Sequence, residues 1–139
     1  MPIPMELRHA TEIFDRLLAD VCDVSGLTTR NQAYTTVQAV LLVFRRRLQT
    51  SDAIRFAGLL PTVLVAIFVS DWDADAPIQP FTSREEMTRE VQAIRRDHNF
   101  SPASAIRDVA VAVRRHVDEV AFDRLLALLP REAAAYWRI

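Results

Sequence analysis

Apolar residues recur along most of this chain at the three- and four-residue spacing of amphipathic helices, and no useful segment alternates with period two. Ile13, Phe14, Leu17, Leu18, Val21 and Val24 form one stripe, with Gly26 placed to stop the helix that carries it. Thr29 with Gln32 has the form of a capping box opening a second helix, whose stripe runs Ala33, Val37, Val40, Leu41, Phe44, Leu48. Thr50 or Ser51 is predicted to cap a short third helix bearing Ile54, Phe56 and Leu59. Pro61 is predicted at the first position of a fourth, Thr62 to Ser70, where its missing N–H costs nothing.

The same punctuation then returns. Ser83 with Glu86 reads as a second capping box, ahead of Met87, Val91 and Ile94. Ser101-Pro102 reads as an N-cap followed by an N1 proline, ahead of the stripe Ile106, Val109, Ala110, Val113, Val117. Asp118 is placed to cap a helix with Phe122, Leu125 and Leu129, and Pro130 to start a last one ending in Tyr136-Trp137. Sliding the chain on itself by 69 positions brings Leu59-Leu60-Pro61 onto Leu128-Leu129-Pro130. Val40 then falls on Val109, Arg45-Arg46 on Arg114-Arg115, Arg55 on Arg124, and Ala66 on Ala135. Self-similarity at a fixed offset marks a repeat. The predicted fold is all-α, a helical bundle of two pseudo-symmetric repeats of about four helices each. The repeats span about 9–70 and 82–139 and are joined by loop 71–81. Trp72, Ile78 and Phe81 in that loop predict that it packs on the bundle, so residues 1–139 are read as a single compact domain.

The Leu-Leu-Pro pair, each following a long helix that ends in basic residues, is one part of a family likeness. The other is Phe68-Val69-Ser70-Asp71-Trp72 leading to a capping-box helix from Ser83. Together they resemble the bacterial domain-of-unknown-function family 2267, from about His9 onward. The resemblance implies a small helical repeat protein. It implies no reaction and supplies no catalytic residues.

Composition bears on function mainly by exclusion. The chain has 139 residues, 50% hydrophobic and 25% charged, enough for one soluble domain with a substantial core. A net charge of −1 sets up no global field for nucleic acid or anionic membrane. All 17 basic residues are arginine, so Schiff-base and phosphate-loop lysine chemistry is excluded. Cys22 is the only cysteine, read as a small hydrophobe beside the first apolar stripe. Met1 to Phe14 lacks the apolar core of a secretory signal, and the run Leu59 to Val69 is about half the ~20 residues of a membrane span. A cytoplasmic location, with no membrane partner, is the expectation.

Candidate chemistry is sparse. Asp71, Asp73 and Asp75 open with the spacing of a calcium loop, but Ala76 stands where glycine is needed and Thr82 where a glutamate should be. His9, His98 and His116 show no metal or triad spacing. No cofactor, metal or catalytic residue is expected. Arg45-Arg46-Arg47 and Arg114-Arg115-His116 occupy equivalent helix ends, either as cations favouring the helix dipole or as a paired basic contact surface. The segment Thr62 to Val69, with Val63, Val65 and Phe68, is apolar on every face and must be covered. The slightly favoured cover is the rest of the bundle, with a homodimer partner close behind. The leading expectation is therefore a non-enzymatic protein–protein interaction or assembly module, contacting an unidentified protein or itself. The alternatives are a nucleic-acid-associated regulator using the arginine clusters, against which the net charge speaks, and an enzyme with a cleft between the repeats.

Overall fold

A computed structural model describes residues 1–139, and all the regular secondary structure is helical, with no strand. Nine α-helices follow in order: α1 (Met5–Arg8), α2 (Ala10–Ser25), α3 (Arg30–Arg45), α4 (Thr50–Ala57), α5 (Thr62–Val69), α6 (Arg84–Ala93), α7 (Ala105–Arg114), α8 (Glu119–Ala127) and α9 (Arg131–Tyr136). A single 3-10 turn, Arg96–His98, follows α6. The starts of α4 and α5 lie 69 positions before those of α8 and α9.

Local chemistry sets most of the boundaries. Gly26 closes α2 in the left-handed region, φ 79°, with its N–H donating to the Cys22 carbonyl. Thr29 and Gln32 make a complete capping box at α3. At α6 only half of that device forms, Ser83 Oγ accepting from the Glu86 N–H. Asp118 caps α8 by accepting from the N–H groups of Val120 and Ala121.

Four predicted starts differ. The residue before α4 is Gln49, with no side-chain cap, and Thr50 is already helical. Pro61 and Pro130 sit one position earlier than expected, as the residues flanking α5 and α9, with ψ near 150°. Ser101 caps nothing. It is buried, its hydroxyl donates to Thr36 Oγ1 at 3.0 Å and also engages Asn99 Oδ1, and α7 starts only at Ala105. Tertiary burial overrides the capping preference there, because a hydroxyl bonded across to α3 is not free to serve the next helix.

Helix pairs recur between the halves: α2 with α3 and α6 with α7, then α4 with α5 and α8 with α9. Across the middle, α2 packs on α7 and α3 on α6, while α3 meets α7 and α4 meets α8. All six residues of the Ala33–Leu48 stripe are buried, as are Ile106, Val109, Ala110 and Val113; Val117 is half-buried. At the centre, Phe44 of α3 lies 4.8 Å from Phe56, 5.1 Å from Tyr136 and 5.5 Å from Trp137, ring centre to ring centre. Tyr136 Oη donates to the Val40 carbonyl at 2.6 Å, and burial pushes its pKa far above the ordinary tyrosine value. The space between the halves is thus filled by aromatic side chains.

Loop 71–81 is anchored by the Gln79 N–H on the Arg46 carbonyl and by partly buried Trp72 and Phe81. Ile78, expected to pack, is 54% exposed. The backbone tether at Gln79 fixes the loop without needing that side chain.

Candidate functional site

The cationic helix ends serve the fold itself. Arg45, last residue of α3, is 7% exposed, and its Nη1 donates to the carbonyls of Phe68 at 2.8 Å and Ser70 at 2.9 Å, at the end of α5. Arg114, 69 positions on and last in α7, donates through Nε to the Trp137 carbonyl at 2.9 Å, at the end of α9. Each arginine thus satisfies carbonyls that a helix C-terminus leaves open. Each also lies against an aromatic ring, Arg45 against Trp72 and Arg114 against Phe122.

The next two positions in each half close on one carboxylate of the other half. Arg47 Nη2 meets Glu90 Oε2 at 2.6 Å, its Nη1 reaches Oε1 at 3.3 Å, and Arg46 Nη1 meets Oε1 at 2.9 Å. Glu90 belongs to α6. In the reciprocal place, Arg115 Nη1 meets Asp20 Oδ1 at 3.0 Å and His116 Nε2 meets Oδ2 at 2.7 Å, with Asp20 on α2. Burial disfavours the Glu90 carboxylate, but hydrogen bonds from Arg47 and Arg46, together with their charges, outweigh it and hold the pKa below the ordinary 4.5. Charge-assisted pairs of this kind join α3 to α6 and α7 to α2.

Of the residues proposed as a basic contact surface, Arg45, Arg47 and Arg114 are therefore buried, and Arg46, Arg115 and His116 are each paired with an acid. The residues that sequence reasoning missed are the acids. Nothing in the sequence singles Glu90 and Asp20 out from the other carboxylates on their polar helix faces.

The apolar segment Thr62–Val69 is covered on one side only. Leu64 and Phe68 point into the core, where α5 packs on α2, α3 and α4, while Val63 and Val65 are half-buried. Ala66 and Val69 are exposed. The favoured burial within the bundle therefore stops at the inner face, because the second half packs on α2, α3 and α4 and leaves the outer side of α5 open. Phe68, 1% exposed, cannot act as a surface contact. The outer side of α5 instead continues into a groove with Ile54, Ala57 and Leu60 along one wall and Glu6 of α1 at its rim. Ile54 is 63% exposed.

A second, more polar recess of about 320 Å³ lies between the end of α3, the start of α4 and loop 71–79. Arg45, Arg46, Thr50, Asp71, Trp72 and Asp73 contribute to its wall. Burial and neighbouring Arg46 lower the Arg45 pKa, and Asp71 acts in the opposite sense. Asp71 itself adopts the left-handed region, φ 51°.

The remaining candidates are structural. Asp73 accepts the Asp75 N–H within its own turn, and no cluster of His, Cys, Asp and Glu is arranged to hold a metal ion. Cys22 is half-buried with Sγ 3.5 Å from the Thr29 carbonyl, and His9 pairs with Glu12. In the Asp97-His98-Asn99 turn it is Asn99 that works, its Nδ2 donating to the Val91 and Ile94 carbonyls at the end of α6. No helix is long and apolar enough to cross a membrane.

Among curated proteins no match to the chain is found. The family model described as "Uncharacterized conserved protein (DUF2267)" matches residues 14–136, nearly the whole helical bundle, and the chain belongs to that family.

Proposed function

We propose that this protein is a non-enzymatic assembly module whose contact face is the groove along α4 and α5. The carrying observation is the outer side of α5: Val65, Ala66 and Val69 join Ile54 in a continuous apolar lining that the bundle leaves open. Contiguous exposed apolar surface of this kind marks interaction sites in stable proteins. Its occupant in this reading is a second copy. The same chain carries exposed Ile3, Met5 and Leu7 in the segment whose Glu6 already borders the groove. A two-fold pair would cover both apolar surfaces at once. The two halves are read as one duplicated unit, in which α5, unlike α9 with its Arg131-Glu132 start, has kept an adhesive outer face. The alternative of a nucleic-acid regulator draws no support from the arginine ends, since their guanidinium groups are engaged within the chain.

Light scattering during size-exclusion chromatography tests this directly. The expected mass is twice 15.8 kDa for the unmodified protein. Val65→Asp should shift it to the single-chain value without unfolding, because Val65 is only half-buried. A single-chain mass for the unmodified protein at every concentration would refute self-assembly through this face.

A further inference from the structure

The recess beside Arg45 has a counterpart in the second half that shows what it lacks. Arg45 and Arg114 stand 69 positions apart and hold carbonyls, Phe68 and Trp137, that also stand 69 apart. Arg114 then uses the rest of its guanidinium on acids of α8: Nη2 on Asp123 at 2.9 Å, and Nη1 facing Glu119 at 3.8 Å. The residues 69 positions before those acids are Ile54 and Thr50, neither of which can carry a negative charge. Arg45 makes its hydrogen bonds through Nη1 alone; its Nε and Nη2 bond to no protein atom, and the residue lines the recess. Thr50, also on that wall, begins a helix whose first N–H groups have no side-chain cap. Uncapped N–H groups and a guanidinium whose free donors are accessible together favour an oxyanion. Asp71 and Asp73 line the same recess, Asp71 acting on the Arg45 charge, and they would repel a simple anion and attract an ammonium group. Trp72, Leu42 and Ile67 supply apolar contact.

We propose that this recess binds a small zwitterionic molecule. Its oxyanion, a carboxylate or a phosphate, takes the place beside Arg45 and Thr50 that the Glu119 carboxylate takes beside Arg114, and its ammonium group lies toward Asp71 and Asp73. The proposal is independent of the groove on α5.

The test is titration of the full chain with β-alanine and with phosphoethanolamine, followed by amide and indole N–H correlation spectra. Saturable shifts are expected at the Thr50 and Asp71 amides and the Trp72 indole, and the probe that binds tighter identifies the oxyanion. Thr50→Glu, which supplies the carboxylate that Glu119 presents to Arg114, should keep a folded spectrum and weaken binding by at least about tenfold. Asp71→Asn should weaken it as well. Absence of shifts with both probes would overturn the proposal. So would unchanged binding by Thr50→Glu, or tighter binding by Asp71→Asn, which would make Asp71 a competitor of the ligand.

Discussion

Glu90→Ala is expected to destabilise the protein by about 3 kcal/mol at neutral pH, the cost of leaving a buried charge without its partner. The stranded group is Arg47. Its side chain is 3% exposed, and apart from Glu90 it bonds only to the Val43 carbonyl, leaving Nε with no acceptor. Glu90 itself is partly solvated, so the effect comes chiefly from what its loss does to Arg47. The sign of the pH dependence follows from the lowered pKa. A carboxylate held below 4.5 by its partners contributes stability that is fully present above that value and fades as pH falls through the folded-state pKa. Urea unfolding of the two proteins should therefore differ most at neutral pH and converge in acid, where protonation of Glu90 removes the ion pair that the variant already lacks. Curves that coincide at neutral pH would show that the pair contributes nothing.

Phe44→Ala is expected to cost about 3–5 kcal/mol, the range for deleting a buried aromatic ring from a packed core. Phe44 is 0% exposed, and its ring meets Phe56 of α4 and both Tyr136 and Trp137 from the end of the chain. Aromatic pairs at such distances add roughly 0.5–1.5 kcal/mol beyond burial. No neighbour can collapse into the space readily, since Phe56 is held in turn by Phe68, Phe122 and Trp137. Thermal unfolding followed by near-ultraviolet circular dichroism should show both a large drop in midpoint and a weakened aromatic signal in the folded baseline. A loss below about 1 kcal/mol would mean that the core is far looser than its packing indicates.

The helices were legible because their determinants are local. Gly26 ends α2 and Thr29-Gln32 opens α3 through residues no more than four apart, so the pattern carries them without knowledge of the fold. Ser101 was misread because the group that captures its hydroxyl, Thr36, lies 65 residues away. The paired arginine ends were visible as a pattern, yet their role was not. Whether a cation at a helix end faces solvent or an acid depends on which helix packs beside it. Glu90 and Asp20 give no local sign that they will meet Arg47 and Arg115. The groove was half legible: an all-apolar α5 announced the need for cover, but only packing decides that Phe68 turns inward while Ala66 and Val69 stay outside. The recess at Arg45 depends on a comparison between halves. Arg114 faces Glu119 there, an acid for which the first half has Thr50.

The cationic helix ends act as internal fasteners between the halves, and a double-mutant cycle on Arg47 and Glu90 measures that most directly. Arg47→Met, Glu90→Ala and the double variant would be compared with the unmodified protein by urea unfolding at neutral pH. The predicted coupling energy is about 2 kcal/mol, with the double variant much less destabilised than the sum of the singles. A coupling near zero, with each single variant close to the unmodified protein, would contradict the account and return the arginine ends to the surface as free contacts.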